Sequence, residues 1–123
     1  MTFKTLALAT LLVATGTAFA QKDDHSVKHG GIFIETKALD FEVVARPDLL
    51  QVYPRDHGKQ VRLDGAQGKM TLLNGTEKTE VALTPVGDRL EAKGSYKVVK
   101  GTKGIASVTL VGKPAVLARF EVK

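Results

Sequence analysis

Residues 39–46 read LDFEVVAR, and this stretch decides the fold. Apolar and charged side chains alternate along it with a period of two, which is typical of a β-strand that lies with one face on a hydrophobic core. One face carries Leu39, Phe41, Val43 and Ala45, and the opposite face carries Asp40, Glu42 and Arg46. The stretch therefore predicts a strand with an apolar inner face and a charged, solvated outer face.

The same period recurs about every ten residues toward the C-terminus, and turn pairs such as Asp64-Gly65 and Asn74-Gly75 separate the repeats. No window in the same region shows the 3.6-residue apolar stripe of a helix. We predict an all-β fold, an antiparallel immunoglobulin-like β-sandwich of about seven to nine short strands, with a small barrel as the alternative. The further residues predicted to face inward are Leu50, Val52, Val61, Leu63, Met70, Leu72, Val81, Leu83, Leu90, Ala92, Ala106, Val108, Leu110, Val116, Ala118, Phe120 and Val122.

The first 20 residues have the pattern of a secretory signal peptide. Lys4 precedes an uncharged apolar run, and Ala18 and Ala20 form the A-x-A pattern that signal peptidase cleaves. The run is shorter than the roughly 20 apolar residues of a membrane-spanning helix. We therefore predict cleavage after Ala20, export to the periplasm and no membrane span in the mature chain. Residues 21–30 are expected to form a flexible polar segment, and residues 31–123 the sandwich domain.

Composition excludes several classes of function. The chain has no cysteine, so disulfides, thiolate metal sites and cysteine nucleophiles are absent. Its net charge is +5, but positive and negative residues are interspersed, which argues against a nucleic-acid groove. None of Ser26, Ser95 and Ser107 lies in a nucleophile-elbow context, so we expect a protein that is not an enzyme.

Histidines and neighbouring carboxylates suggest a metal site. Two histidines lie in the stretch DDHSVKHGG, residues 23–31, and the third lies in the Asp56-His57-Gly58 step. Imidazole and carboxylate together suit Cu(II), Zn(II) or Ni(II). No cofactor is required beyond such an ion. The candidate ligands are Asp23, Asp24, His25, His29, Asp56 and His57.

Each half of this candidate site also has a simpler explanation. The N-terminal residues can be a solvated tail. Asp56-His57-Gly58 can be a hairpin turn in which Gly58 adopts a positive φ. Convergence of His29 and His57 in space would favour the metal site over these explanations.

Three short motifs resemble a known group of modules. His29-Gly30-Gly31 opens the domain, LDFEVVAR follows, and QVYPRDHGKQV, residues 51–61, runs into the His57 turn. This order resembles small exported β-modules found alone or at the N-terminus of periplasmic adaptor subunits of heavy-metal efflux systems. The resemblance implies a β-domain associated with metal handling and a ligand role for His57, although the turn is one residue shorter here.

Two functions follow as hypotheses. The first is a periplasmic module that binds a divalent transition metal through its histidines. The alternative is a metal-independent structural or interaction module, whose strand edge or loops contact another envelope protein.

Overall fold

The computed structural model describes residues 27–123. The predicted signal peptide, and with it Asp23, Asp24 and His25, lies outside the described residues. Within residues 27–123 there are nine β-strands and no helix, so no helix suited to crossing a bilayer is found there. The strands are β1 (Ile32–Glu35), β2 (Asp40–Arg46), β3 (Leu49–Asp56), β4 (Lys59–Gln60), β5 (Gln67–Asn74), β6 (Glu77–Val86), β7 (Arg89–Lys93), β8 (Lys103–Thr109) and β9 (Val116–Glu121).

All strand pairs are antiparallel, and the strands form one continuous sheet in the order β1-β2-β3-β7-β6-β5-β8-β9. The two-residue strand β4 pairs only with the end of β3. The prediction of an all-β antiparallel fold is confirmed, and the nine strands equal the upper end of the predicted range.

Strand β6 joins the two layers of this sheet. Its residues up to Leu83 pair with β5, whereas Thr84, Pro85 and Val86 pair with β7. The first layer therefore contains β1, β2, β3, β7 and the end of β6, and the second contains the start of β6 with β5, β8 and β9. The architecture is sandwich-like, but its two layers are parts of a single sheet.

The core lies between these layers and contains the residues that alternation predicts to face inward. Phe41, Leu50 and Leu90 from the first layer and Met70 and Val108 from the second are completely buried. Residues near strand ends and in the connecting loops, such as Val61, Leu110 and Val116, are only partly buried against the core.

The outer face of β2 differs from the prediction. Asp40 and Glu42, expected to be solvated, are 0% and 4% exposed, and Val44 on the same face is also buried. Strands β1 and β3 flank β2, and the residues before β1 and the turn after β3 fold over its outer face. Two carboxylates thus lie in a covered polar layer outside the hydrophobic core.

Candidate metal centre

His57 occupies a two-residue hairpin turn between β3 and β4. His57 and Gly58 both have positive φ, 51° and 93°, and Asp56 pairs with Lys59 across the turn. Positive φ at both central positions is the requirement of a type I′ hairpin. The predicted turn is therefore present, and His57 is the one non-glycine residue with positive φ among residues 27–123.

The His57 ring is held between the loop after β1 and the start of β2. Its Nε2 lies 3.1 Å from the carbonyl oxygen of Lys37, and its Nδ1 lies 3.8 Å from Oδ1 of Asp40. A carbonyl oxygen only accepts hydrogen bonds, so Nε2 carries the proton of this contact. In the neutral ring Nδ1 then has a lone pair that faces the carboxylate of Asp40.

Glu35 completes a group of three ligands. It is the last residue of β1 and pairs with Asp40 across the β1–β2 hairpin. One ligand atom from each of Glu35, Asp40 and His57 lies within 4.8 Å of the other two. Two ligands on a tetrahedral zinc ion lie roughly 3.4 Å apart, given metal–ligand bonds of about 2.0–2.2 Å. A contraction of up to about 1.4 Å would therefore close the group around an ion, and Glu35 is the exposed member of the group.

His29 lies on the same outer face but outside this group. Its ring stacks on Tyr53, with centroids 3.7 Å apart and planes 9° apart. Tyr53 pairs with Glu42, two residues along β2 from Asp40, which corresponds to roughly 6.6 Å along the strand. The two histidines thus share a face of the first layer without sharing one set of ligand atoms.

The other predicted ligands are placed as follows. Asp56 is exposed at the turn and does not belong to the group formed by Glu35, Asp40 and His57. Asp23, Asp24 and His25 lie outside the described residues.

Glu42 anchors the segment that carries His29. Its carboxylate accepts hydrogen bonds from the backbone N–H groups of Lys28 (3.1 Å), His29 (2.7 Å) and Gly31 (3.1 Å). Gly31 lies against the backbone carbonyl of Val43, where a Cβ atom would clash. Residues 28–31 are thereby fixed over β2, which explains the burial of Glu42.

A second polar network lies beside Tyr53. Glu91 accepts hydrogen bonds from Gln51 (3.0 Å) and Arg89 (2.9 Å), and the Tyr53 hydroxyl donates to Gln51 (3.1 Å). The hydrogen bond from Gln51 has the larger effect in lowering the pKa of Glu91, and the bond from Arg89 has the next largest. Burial raises the pKa of Tyr53. These hydrogen bonds hold the side chains on the outer face of the first layer, beside the group formed by Glu35, Asp40 and His57.

The lowered pKa of Glu91 predicts a contribution to stability that disappears in acid. Because the folded-state pKa lies below the unfolded one, the contribution is complete above the unfolded pKa of about 4.3 and is lost as pH falls through the folded value. Glu91→Gln should therefore be less stable than the wild type at neutral pH, with the difference narrowing toward pH 3. Urea denaturation across this range measures it. The matched variant is Glu77→Gln, because Glu77 forms an exposed pair with Lys97, and its loss of unfolding free energy should be smaller. A loss for Glu91→Gln that stays constant with pH would contradict the prediction.

No family model, curated protein or solved structure matches the chain. The resemblance to efflux-associated modules stays a prediction from its motifs, and the functional argument depends on the geometry of the site.

Proposed function

We propose that the protein is a small exported binding module that holds a divalent transition metal, Cu(II), Zn(II) or Ni(II), through Glu35, Asp40 and His57. The observation that carries the proposal is the meeting of these three side chains from separate chain segments, with ligand atoms within 4.8 Å. Asp40 is completely buried, and a buried carboxylate is stabilised by a nearby cation.

The orientation of His57 supports the proposal. Histidines that bind metals through one ring nitrogen usually donate the other N–H to a carboxylate or a backbone carbonyl. The Lys37 carbonyl is in that position for Nε2, which leaves Nδ1 for the ion. A protonated His57 paired with Asp40 would use the same geometry without an ion, and metal titration distinguishes the two.

The donor set also favours particular ions. One imidazole and two carboxylates suit borderline ions better than Ca²⁺, which prefers six to eight oxygens. Three protein ligands leave a position for water or for a ligand from a partner. Because Glu35 is exposed, the ion would be accessible, which suits capture and delivery of metal in the periplasm.

Calorimetric titration of protein recovered from the periplasm with Cu(II), Zn(II) and Ni(II) tests the proposal, and intact-mass analysis of the same sample checks cleavage after Ala20. His57→Asn is the informative variant, because asparagine tolerates the left-handed backbone of this turn but removes the imidazole. We expect its affinity to fall at least ~10-fold, as loss of even an outer partner of a ligand costs about 10–100-fold.

The matched control is His29→Asn, which removes the imidazole stacked on Tyr53 and should bind metal like the wild type. If His29→Asn loses binding while His57→Asn retains it, the site belongs to the N-terminal segment and the proposal is wrong. If the wild type binds none of the three ions, the metal-independent interaction module becomes the better explanation.

A further inference from the structure

A cleft of about 870 Å³ opens at the end of the molecule that carries the His57 turn. The loop between β4 and β5 and the hairpin between β8 and β9 form its main walls, and the residues before β2 close one side. Eight of its twelve lining residues are apolar, among them Leu39, Val61, Leu110 and Val116. This volume and lining are those of small-molecule sites, which measure about 300–1,000 Å³ and are mostly apolar.

The two loops contact each other at one point of the cleft. Gly65 has a φ of +74°, and a Cβ at this position would lie 2.8 Å from Cγ2 of Val111. Val111 is nevertheless 68% exposed, and Leu110 and Val116 beside it are only half-buried. Apolar side chains thus face an open concave space, and a chain-like apolar ligand would remove this surface from water at a gain of about 25 cal/mol per Å².

Four charged residues line the cleft, two of each sign, and they differ in their ion pairs. Arg62 and Asp64 pair with each other at 3.3 Å, whereas Asp56, at the His57 turn, has no ion pair within residues 27–123. Lys113, in the β8–β9 hairpin, has no ion pair with any residue of 27–123. Lys113 lies in the hairpin that supplies five of the eight apolar lining residues, so an anionic head group beside this apolar wall would meet an unpaired cation.

We propose that the cleft binds the aliphatic chain of an amphipathic molecule and that Lys113 holds its anionic head group. The concave shape favours a small molecule over a flat protein surface. The proposal is independent of the metal site, so its test is made with a chelator present.

The test is a titration of the ¹⁵N-labelled protein with decanoate below its micelle concentration, followed by amide chemical shifts. We expect saturable shifts in residues 38–39, 61–64 and 110–116. Ala115→Trp places a bulky ring in the cleft and should weaken binding at least ~10-fold, because an occupied pocket excludes the chain. The control Ala82→Trp, at an exposed site on β6, should bind like the wild type.

A second arm tests the head group. Lys113→Gln should weaken decanoate binding roughly two- to fivefold, the range of an exposed ion pair. Binding of decyltrimethylammonium should not weaken in the same variant, and Lys100→Gln at the opposite end of β8 should change neither. Shifts outside the cleft, an unchanged affinity in Ala115→Trp, or equal binding of the cationic amphiphile would overturn the proposal.

The source of the chain needs one further comparison. If the protein co-sediments with phosphatidylglycerol vesicles, the aliphatic chain that it binds belongs to a membrane lipid. If the protein binds decanoate but stays in the supernatant, the ligand is a free amphiphile.

Discussion

Replacing Phe41 by alanine is expected to lower the free energy of unfolding by about 3–5 kcal/mol, the usual cost of truncating a buried phenylalanine. Phe41 is completely buried in β2, where Ile34 and Pro54 are its partners on the adjacent strands. Strands on both sides hold the backbone in place, so the surrounding core cannot collapse into the cavity. Since domains of this size are stable by only about 5–15 kcal/mol, the variant would lose a large part of its stability.

Urea denaturation of the variant and the wild type measures this loss. Phe33→Ala is the matched control, because Phe33 lies on the neighbouring strand β1 and is only half-buried. Its loss should be clearly smaller. A loss below ~1 kcal/mol for Phe41→Ala would mean that alternation in residues 39–46 assigns the wrong face to the core.

Most of the fold could be predicted from the sequence because period-two alternation is a local property. In residues 39–46 the side chains predicted to face inward pack between the layers, including Phe41 and Val43. The turn pairs were also informative, since Gly65 and Gly75 both have positive φ. Strand type and face therefore follow from neighbouring residues alone.

The strand order could not be predicted in the same way. Strand β6 changes its partner from β5 to β7 between Leu83 and Thr84, which depends on how distant strands twist around each other. The burial of Asp40 and Glu42 differs from the prediction for a related reason. Alternation shows which residues share a face, but it does not show which other segments cover that face.

The candidate site was predicted only in part. The sequence predicts His57 as a ligand together with Asp56, but the carboxylates that group with it in space are those of Glu35 and Asp40. A signal for them exists in the sequence: they bracket the four-residue connection of residues 36–39, so a hairpin at that point places them opposite each other. A strand at residues 32–35, IFIE, places Glu35 opposite Asp40.

Binding of metal at Glu35, Asp40 and His57 should also raise the melting temperature strongly. An ion that binds only the folded state, supplied at 100 times its dissociation constant, adds about 2.7 kcal/mol to the free energy of unfolding. In a domain of about 100 residues, 1 kcal/mol shifts the midpoint by roughly 4–8 °C. We therefore expect the preferred ion among Cu(II), Zn(II) and Ni(II) to raise the melting temperature by roughly 10–20 °C.

The variants distinguish this effect from a simple ion pair between His57 and Asp40. His57→Asn should lose the metal-dependent shift, whereas His29→Asn should retain it, because His29 stacks on Tyr53 outside the ligand group. Differential scanning calorimetry with and without metal, and with a chelator as reference, measures both. If a proton on His57, and no metal ion, stabilises the His57–Asp40 pair, none of the three ions will raise the melting temperature of the wild type. An equal shift in the wild type and in His57→Asn would place the bound ion elsewhere, since the imidazole is the ligand that distinguishes this group from an ordinary pair of acidic residues.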